Sequence, residues 1–215
     1  MKPLAQCRLY GFVDTAYLRG RPADKVAAQL CEGGADLIQL RAKEASVNEV
    51  RALARQVLQV TRRSAVRLVL NDYPKIAADL GAEFCHLGQE DFFGAGLTRV
   101  DQARPPGSVL GIGLSTHKPA EAQRAVQAGA DYIAIGPVYA TATKPNAQPV
   151  TLEYVRWAAA NITAPWFAIG GITLENLDAV LAAGARRICV VSAILNAGDV
   201  AARCRQFKQR LESVQ

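Results

Sequence analysis

Four times the chain repeats a short phrase: a glycine and an alanine closing a helical stretch, a charged residue, then an apolar run that ends in polar groups. The copies are Gly34-Ala35-Asp36 before Leu37-Ile38-Gln39-Leu40-Arg41, Gly81-Ala82-Glu83 before Phe84-Cys85-His86-Leu87-Gly88, Gly129-Ala130-Asp131 before Tyr132-Ile133-Ala134-Ile135-Gly136, and Gly184-Ala185-Arg186 before Ile188-Cys189-Val190-Val191-Ser192. Glycine suits a helix C-terminus, where positive φ costs it nothing, and the apolar runs suit strands buried on both faces. Each interval between copies holds a further apolar strand candidate, so the repeating unit is about half the interval. Eight strand-helix units follow, which predicts a single (β/α)8 TIM barrel over residues 1–215. Its strands are expected near residues 8–13, 36–40, 67–70, 84–87, 109–113, 132–135, 166–169 and 188–191. The clearest helix runs from Ser46 to about Arg62, with Val47, Val50, Leu53, Ala54, Val57, Leu58 and Thr61 on one face behind a serine N-cap.

With 215 residues, half of them apolar, the chain is long enough to bury a substantial core, and no linker or low-complexity stretch divides it. Its apolar runs fall short of a membrane span, and the N-terminus lacks the basic, apolar and small-residue sections of a secretory signal. A soluble cytoplasmic protein with no membrane partner is expected. Cys7, Cys31, Cys85, Cys189 and Cys204 form no close pairs, which points to reduced core thiols rather than disulfides or zinc ligands. The net charge of +6 comes with basic residues that read as solvated helix surface without interleaved aromatics. Nucleic acid is therefore not an expected partner, and the charge is read as a bias toward small anions. The sequence leaves a homo-oligomer open.

In a barrel of parallel strands, functional groups gather at the strand C-termini, where loops and helix N-termini meet. Gln39, Arg41 and Lys43 are spaced two apart after the second strand, so in extended chain they face one side. Asn71-Asp72 follows the third strand, Gly88-Gln89-Glu90-Asp91 the fourth and Ser115-Thr116-His117 the fifth. Asp72 and Asp91 are hard oxygen ligands on neighbouring strands, a donor set that suits Mg2+ shared with substrate phosphate oxygens. Each aspartate taken alone also fits a helix cap. Together with Arg41, Lys43 and Lys144 they match the charge of a diphosphate. A second anion site is expected at Gly170-Gly171, Thr173 and Val191-Ser192, where backbone amides of two loops converge and Thr173 opens the seventh helix. His86, inside a strand, reads as a packing or supporting residue, and His117 as a helix-start residue.

These motifs, in this order over nearly the full length, resemble the thiamine-phosphate synthase family. The segments that carry the likeness are Gln39-Leu40-Arg41-Ala42-Lys43, Asn71-Asp72, His86-Leu87-Gly88-Gln89-Glu90-Asp91, Gly113-Leu114-Ser115-Thr116-His117, Gly136-Pro137-Val138-Tyr139 with Thr141-Ala142-Thr143-Lys144, Ile169-Gly170-Gly171-Ile172 and Val191-Ser192-Ala193-Ile194. The resemblance implies a transferase of thiamine biosynthesis. It would join 4-amino-5-hydroxymethyl-2-methylpyrimidine diphosphate to a thiazole phosphate, or its carboxylated form, and release diphosphate. By the same resemblance, Gln39, Arg41, Lys43, Asn71, Ser115 and Lys144 would hold the pyrimidine diphosphate, with Arg41, Lys43, Ser115 and Lys144 assisting its departure. Asp72 and Asp91 would carry Mg2+. Thr141, Thr143, Gly171, Val191 and Ser192 would hold the thiazole phosphate.

Two departures from the family pattern concern the ending of the first strand, Leu9-Tyr10-Gly11-Phe12-Val13-Asp14, and Tyr73 after Asn71-Asp72. A related thiazole tautomerase shares the barrel and would use a histidine near His117. A silent phosphate-binding barrel would keep the glycines and relax the aspartates. The joint presence of Arg41, Lys43, Asp72, Asp91 and Lys144 favours the synthase over both.

Overall fold

The near-continuous apolar runs become strands buried on both faces, as parallel sheets covered by helices require. The computed structural model describes residues 2–141 and 148–213. Its strands are β1 (Leu9–Asp14), β2 (Leu37–Arg41), β3 (Arg67–Asn71), β4 (Phe84–Leu87), β5 (Gly111–Thr116), β6 (Tyr132–Ile135), β7 (Trp166–Ile169) and β8 (Ile188–Cys189). They pair in parallel in sequence order, and β1 closes on β8. Around them lie α1 (Thr15–Leu18), α2 (Ala23–Glu32), α3 (Val47–Arg63), α4 (Pro74–Leu80), α5 (Pro119–Gln127), α6 (Thr151–Asn161), α7 (Leu177–Ala182), α8 (Ser192–Leu195) and α9 (Val200–Glu212). This is the expected (β/α)8 barrel. Among the described residues no helix is long and apolar enough to cross a membrane, and all five cysteines are free thiols.

The repeated phrase has a physical basis at both of its ends. Gly34, Gly81, Gly129 and Gly184 take φ of 87°, 70°, 84° and 102°, the left-handed turn that leads a helix back to the sheet. The acidic residue that follows has a use the pattern alone does not reveal. Asp36 accepts the amides of Arg8 and Leu9 at 2.8 and 3.0 Å, Glu83 that of Leu68 at 2.9 Å, and Asp131 that of Ile112 at 2.7 Å. Each carboxylate therefore satisfies backbone donors at the start of the preceding strand, closing the bottom of β1, β3 and β5. Arg186 replaces the acid in the fourth copy.

Helix α3 is capped as its sequence predicts. Ser46 Oγ accepts the Glu49 amide while the Glu49 carboxylate accepts the Ser46 amide, a reciprocal cap. Three expectations shift. β5 runs over Gly111–Thr116 rather than near 109–113: Val109 is exposed, and Ser115 and Thr116 pair with Ala134 and Ile135 of β6. The β4–β5 connection carries a one-turn π-helical segment (Glu90–Gly94) and a short 3-10 turn (Val100–Gln102) in place of the helix of a regular strand-helix unit. Helix α7 begins at Leu177, and Thr173 instead donates its amide to Asn176 Oδ1 at 2.9 Å.

Aromatic rings fill the barrel interior. Phe167 meets Tyr10 and Tyr132 edge-on at 5.4 and 5.6 Å, and Phe84 meets Tyr132 at 5.7 Å. Gly113 makes room for this cluster, since a Cβ there would lie 2.1 Å from the Tyr132 ring. The floor is dense, and a cavity opens above it, at the C-terminal ends of the strands.

Candidate active site

One cavity opens at that end, lined by Gln39, Arg41, Lys43, Asn71, Asp72, Asp91, Ser115, Thr141, Gly171, Val191 and Ser192, whereas Thr173, expected in the second anion site, does not line it. Thr143 and Lys144 lie outside the described residues. The wall of β2–β5 supplies the charged groups, and the wall of β6–β8 supplies the glycine turn and Ser192.

Alternation along β2 turns Gln39 and Arg41 inward, and Lys43 continues the row past the strand end. Arg41 does not stand alone. Its Nη1 donates to Asp14 Oδ2 at 3.0 Å, and Asp14 is wholly buried at the end of β1, opposite Arg41 in the strand register. The other Asp14 oxygen accepts the Ala16 amide at 3.1 Å and caps α1. In the sequence Asp14 stands only as the end of the first strand, although it ends an apolar run as Asp72 follows one.

Neither Asp72 nor Asp91 caps a helix. Tyr73 occupies the N-cap position of α4 without a side-chain bond, and Asp72 sits at φ 66° in the left-handed region. That conformation is uncommon outside glycine, with Asp and Asn the most tolerant of it. It aims the carboxylate into the cavity, where Asn71 Nδ2 donates to it at 2.6 Å and Lys43 forms an ion pair with it. Asp91 lies in the π-helical turn after β4 and accepts the Gly88 amide at 3.3 Å. The two carboxylates therefore share one cavity wall, flanked by Lys43. Among the described residues they join no cluster of three or more His, Cys, Asp or Glu side chains able to hold a metal. A divalent ion bound here would complete its shell with substrate and water oxygens, the habit of Mg2+.

Ser115 is on β5 itself, and its hydroxyl bonds His86 Nε2 at 2.9 Å. Gln89 supports the same strand end by donating to the Ser115 carbonyl. His86 thus has the supporting role expected of it. His117 pairs its Nδ1 with the Gly136 carbonyl at 2.5 Å and donates its amide to Glu121 at 2.8 Å, which places it at the start of α5 while its ring still borders the cavity.

On the facing wall, Gly170 and Gly171 have φ of 103° and 63°. A Cβ on Gly170 would fall 2.4 Å from Pro137 Cα, and one on Gly171 2.6 Å from the Ala140 carbonyl. These glycines are thus demanded by the packing of the β6 loop as well as by access to a ligand. Tyr10, Phe12, Ile169 and Ile172 add an apolar lining that no polar motif in the sequence marks.

The family model for thiamine monophosphate synthase matches residues 9–194. A thiamine-phosphate synthase of Thermus thermophilus is 47% identical over 183 residues, 85% of each chain. Another, from Halalkalibacterium halodurans, is 38% identical over 210 residues and 95% of each chain. Among solved structures, thiamine phosphate pyrophosphorylase from Pyrococcus furiosus superposes with a TM-score of 0.86 at 29% identity, covering 98% of both chains. With the family model matched over residues 9–194 and relatives matched over up to 95% of each chain, the chain belongs to the thiamine-phosphate synthase family.

Proposed function

We propose that this transferase joins a pyrimidine-methyl diphosphate to the ring nitrogen of a thiazole phosphate, with Mg2+ held by Asp72 and Asp91. The observation that carries the proposal is the shared cavity: Arg41, Lys43, Asp72 and Asp91 on one wall, Gly171, Val191 and Ser192 on the other. In the reaction, the C–O bond to the diphosphate breaks and the diphosphate departs with the electron pair. The thiazole nitrogen lone pair then forms the new C–N bond at the methylene carbon.

The chain's own residues are suited to stabilising a leaving anion rather than to supplying a nucleophile. Arg41, Lys43, Asn71, Ser115 and Lys144 bind and neutralise the diphosphate, and Gln39 orients the pyrimidine. Asp14 holds the Arg41 guanidinium toward the cavity, while Asn71 and Lys43 fix the Asp72 carboxylate. When bound, Mg2+ supplies Lewis-acid neutralisation of the diphosphate oxygens. Thr141, Thr143, Gly171, Val191 and Ser192 seat the thiazole phosphate so that its nitrogen faces the reacting carbon. The apolar lining of Phe12, Ile169 and Ile172 keeps water from capturing the electron-poor carbon. In this reading the protein acts in the cytoplasm on small molecules.

The test is direct. Purified protein given Mg2+ and both substrates should form thiamine phosphate and release one diphosphate per product. Isomerisation of the carboxylated thiazole phosphate without diphosphate release would assign the tautomerase reaction instead.

A further inference from the structure

A line of hydrogen bonds crosses the inside of the barrel and joins two predicted substrate contacts. Gln39 Nε2 donates to the Tyr10 hydroxyl at 2.6 Å, and Tyr10 Oη lies 3.0 Å from Tyr132 Oη. Tyr132 Oη lies 3.1 Å from His86 Nδ1, and His86 Nε2 lies 2.9 Å from Ser115 Oγ. The five residues come from β2, β1, β6, β4 and β5 in turn. Gln39, Tyr10, His86 and Ser115 border the cavity, and both phenols are buried, with Tyr132 completely so. Barrel interiors are usually filled by apolar side chains. Phenylalanine in place of either tyrosine would fill the same space without the desolvation cost of a buried hydroxyl, so packing alone does not account for them.

With Gln39 as the donor at one end, a single direction can run through the whole line. Burial holds the Tyr10 and Tyr132 hydroxyls well above their ordinary pKa, so each stays a neutral phenol with one proton. With Tyr10 accepting from Gln39, its proton goes to Tyr132, and the Tyr132 proton goes to His86 Nδ1. In the tautomer that accepts from Tyr132 at Nδ1, His86 carries its proton on Nε2 and donates to Ser115 Oγ. The Ser115 hydroxyl is left to donate its own proton to the cavity.

We propose that Tyr10, Tyr132 and His86 are positioning residues that form a one-way relay from Gln39, presenting the Ser115 hydroxyl as a donor to the departing diphosphate. This rests on the reading above in which Gln39 and Ser115 contact the pyrimidine diphosphate. It assigns to these three residues an effect on the reaction that passes through the Ser115 side chain.

The experiment is a double-mutant cycle on Tyr132→Phe and Ser115→Ala, with kcat and KM for each substrate and thermal unfolding as the stability control. Loss of one buried hydrogen bond predicts a drop in kcat of about fivefold to tenfold for Tyr132→Phe, with KM for the thiazole phosphate unchanged. In the Ser115→Ala background the same change should cost less than about twofold, because its effect passes through the missing hydroxyl. A Tyr132→Phe loss of equal size in both backgrounds, or no loss in either, overturns the relay. If Ser115→Ala itself leaves turnover unchanged, the serine contact in the proposed function fails and the relay with it. Should Tyr132→Phe not fold, Tyr10→Phe carries the same cycle with the same outcomes.

Discussion

Asp14→Asn isolates the contribution of a buried carboxylate to the aim of Arg41. In the native protein Asp14 accepts from Arg41 Nη1 at 3.0 Å and from the Ala16 amide at 3.1 Å, and it is wholly buried. An asparagine oxygen still caps α1, so the cap survives. What changes is the other side, where an uncharged amide now faces the guanidinium. A charge-assisted hydrogen bond contributes about 1.5–3 kcal/mol, and breaking a fully buried pair costs about 3–5 kcal/mol. The Arg41 side chain keeps 17% of its exposure, so water recovers part of the loss and the lower range applies. A destabilisation of about 2 kcal/mol, or a fall in Tm of roughly 4–8 °C for a chain of this size, is expected. Asp14→Ala should lose about 1 kcal/mol more by removing the cap. Because Arg41 is held less firmly toward the diphosphate, excess diphosphate should raise the Tm of Asp14→Asn less than that of the native protein. In steady-state assays, KM for the pyrimidine diphosphate should rise about tenfold and KM for the thiazole phosphate should not move. An unchanged Tm together with native KM values would refute the reasoning.

Three further outcomes follow from the same geometry. Asp72→Asn keeps a residue that tolerates φ 66° and should unfold at the native temperature while losing turnover by two orders of magnitude or more; Asp72→Ala should in addition lose about 1–2 kcal/mol of stability to backbone strain, as thermal melts would reveal. Gly170→Ala places a Cβ 2.4 Å from Pro137 Cα at φ 103°, so it should cost about 1–3 kcal/mol and weaken thiazole phosphate binding by calorimetry. At Asp36, burial raises the carboxyl pKa, but hydrogen bonds from Lys208, Arg8, Leu9 and Lys2 outweigh it and leave the pKa lowered. Its stabilisation is therefore present above the unfolded value of about 4 and is lost as pH falls through the lower folded value. Asp36→Asn should be the less stable protein at pH 6, and the gap should close in acid titrations monitored by circular dichroism.

The architecture was legible because a parallel barrel leaves a periodic trace. Gly34, Gly81, Gly129 and Gly184 mark the returns to the sheet, and strands buried on both faces read as unbroken apolar runs. The charged wall was legible for a similar reason, since Gln39, Arg41, Asp72, Asp91 and Ser115 stand at or just past the ends of such runs. What escaped was set by pairing across the barrel. Asp14 reads as an ordinary strand end until the register brings it opposite Arg41, and Tyr10 and Tyr132 read as core aromatics until their hydroxyls meet at 3.0 Å. The end of β5 was misplaced because Ser115 and Thr116 are polar; Thr116 is nonetheless buried, with its hydroxyl on the Ala134 carbonyl at 2.9 Å. The double glycine was read for its access to a ligand, and its close packing on Pro137 and Ala140 depends on contacts no local pattern encodes.

The central claim, that Asp72 and Asp91 together hold the ion that neutralises a departing diphosphate, is tested most directly by calorimetric titration of Mg2+ into protein saturated with the pyrimidine diphosphate. The account predicts saturable Mg2+ uptake by the native complex and its loss in both Asp72→Asn and Asp91→Asn. Native-strength Mg2+ binding in both variants would contradict it.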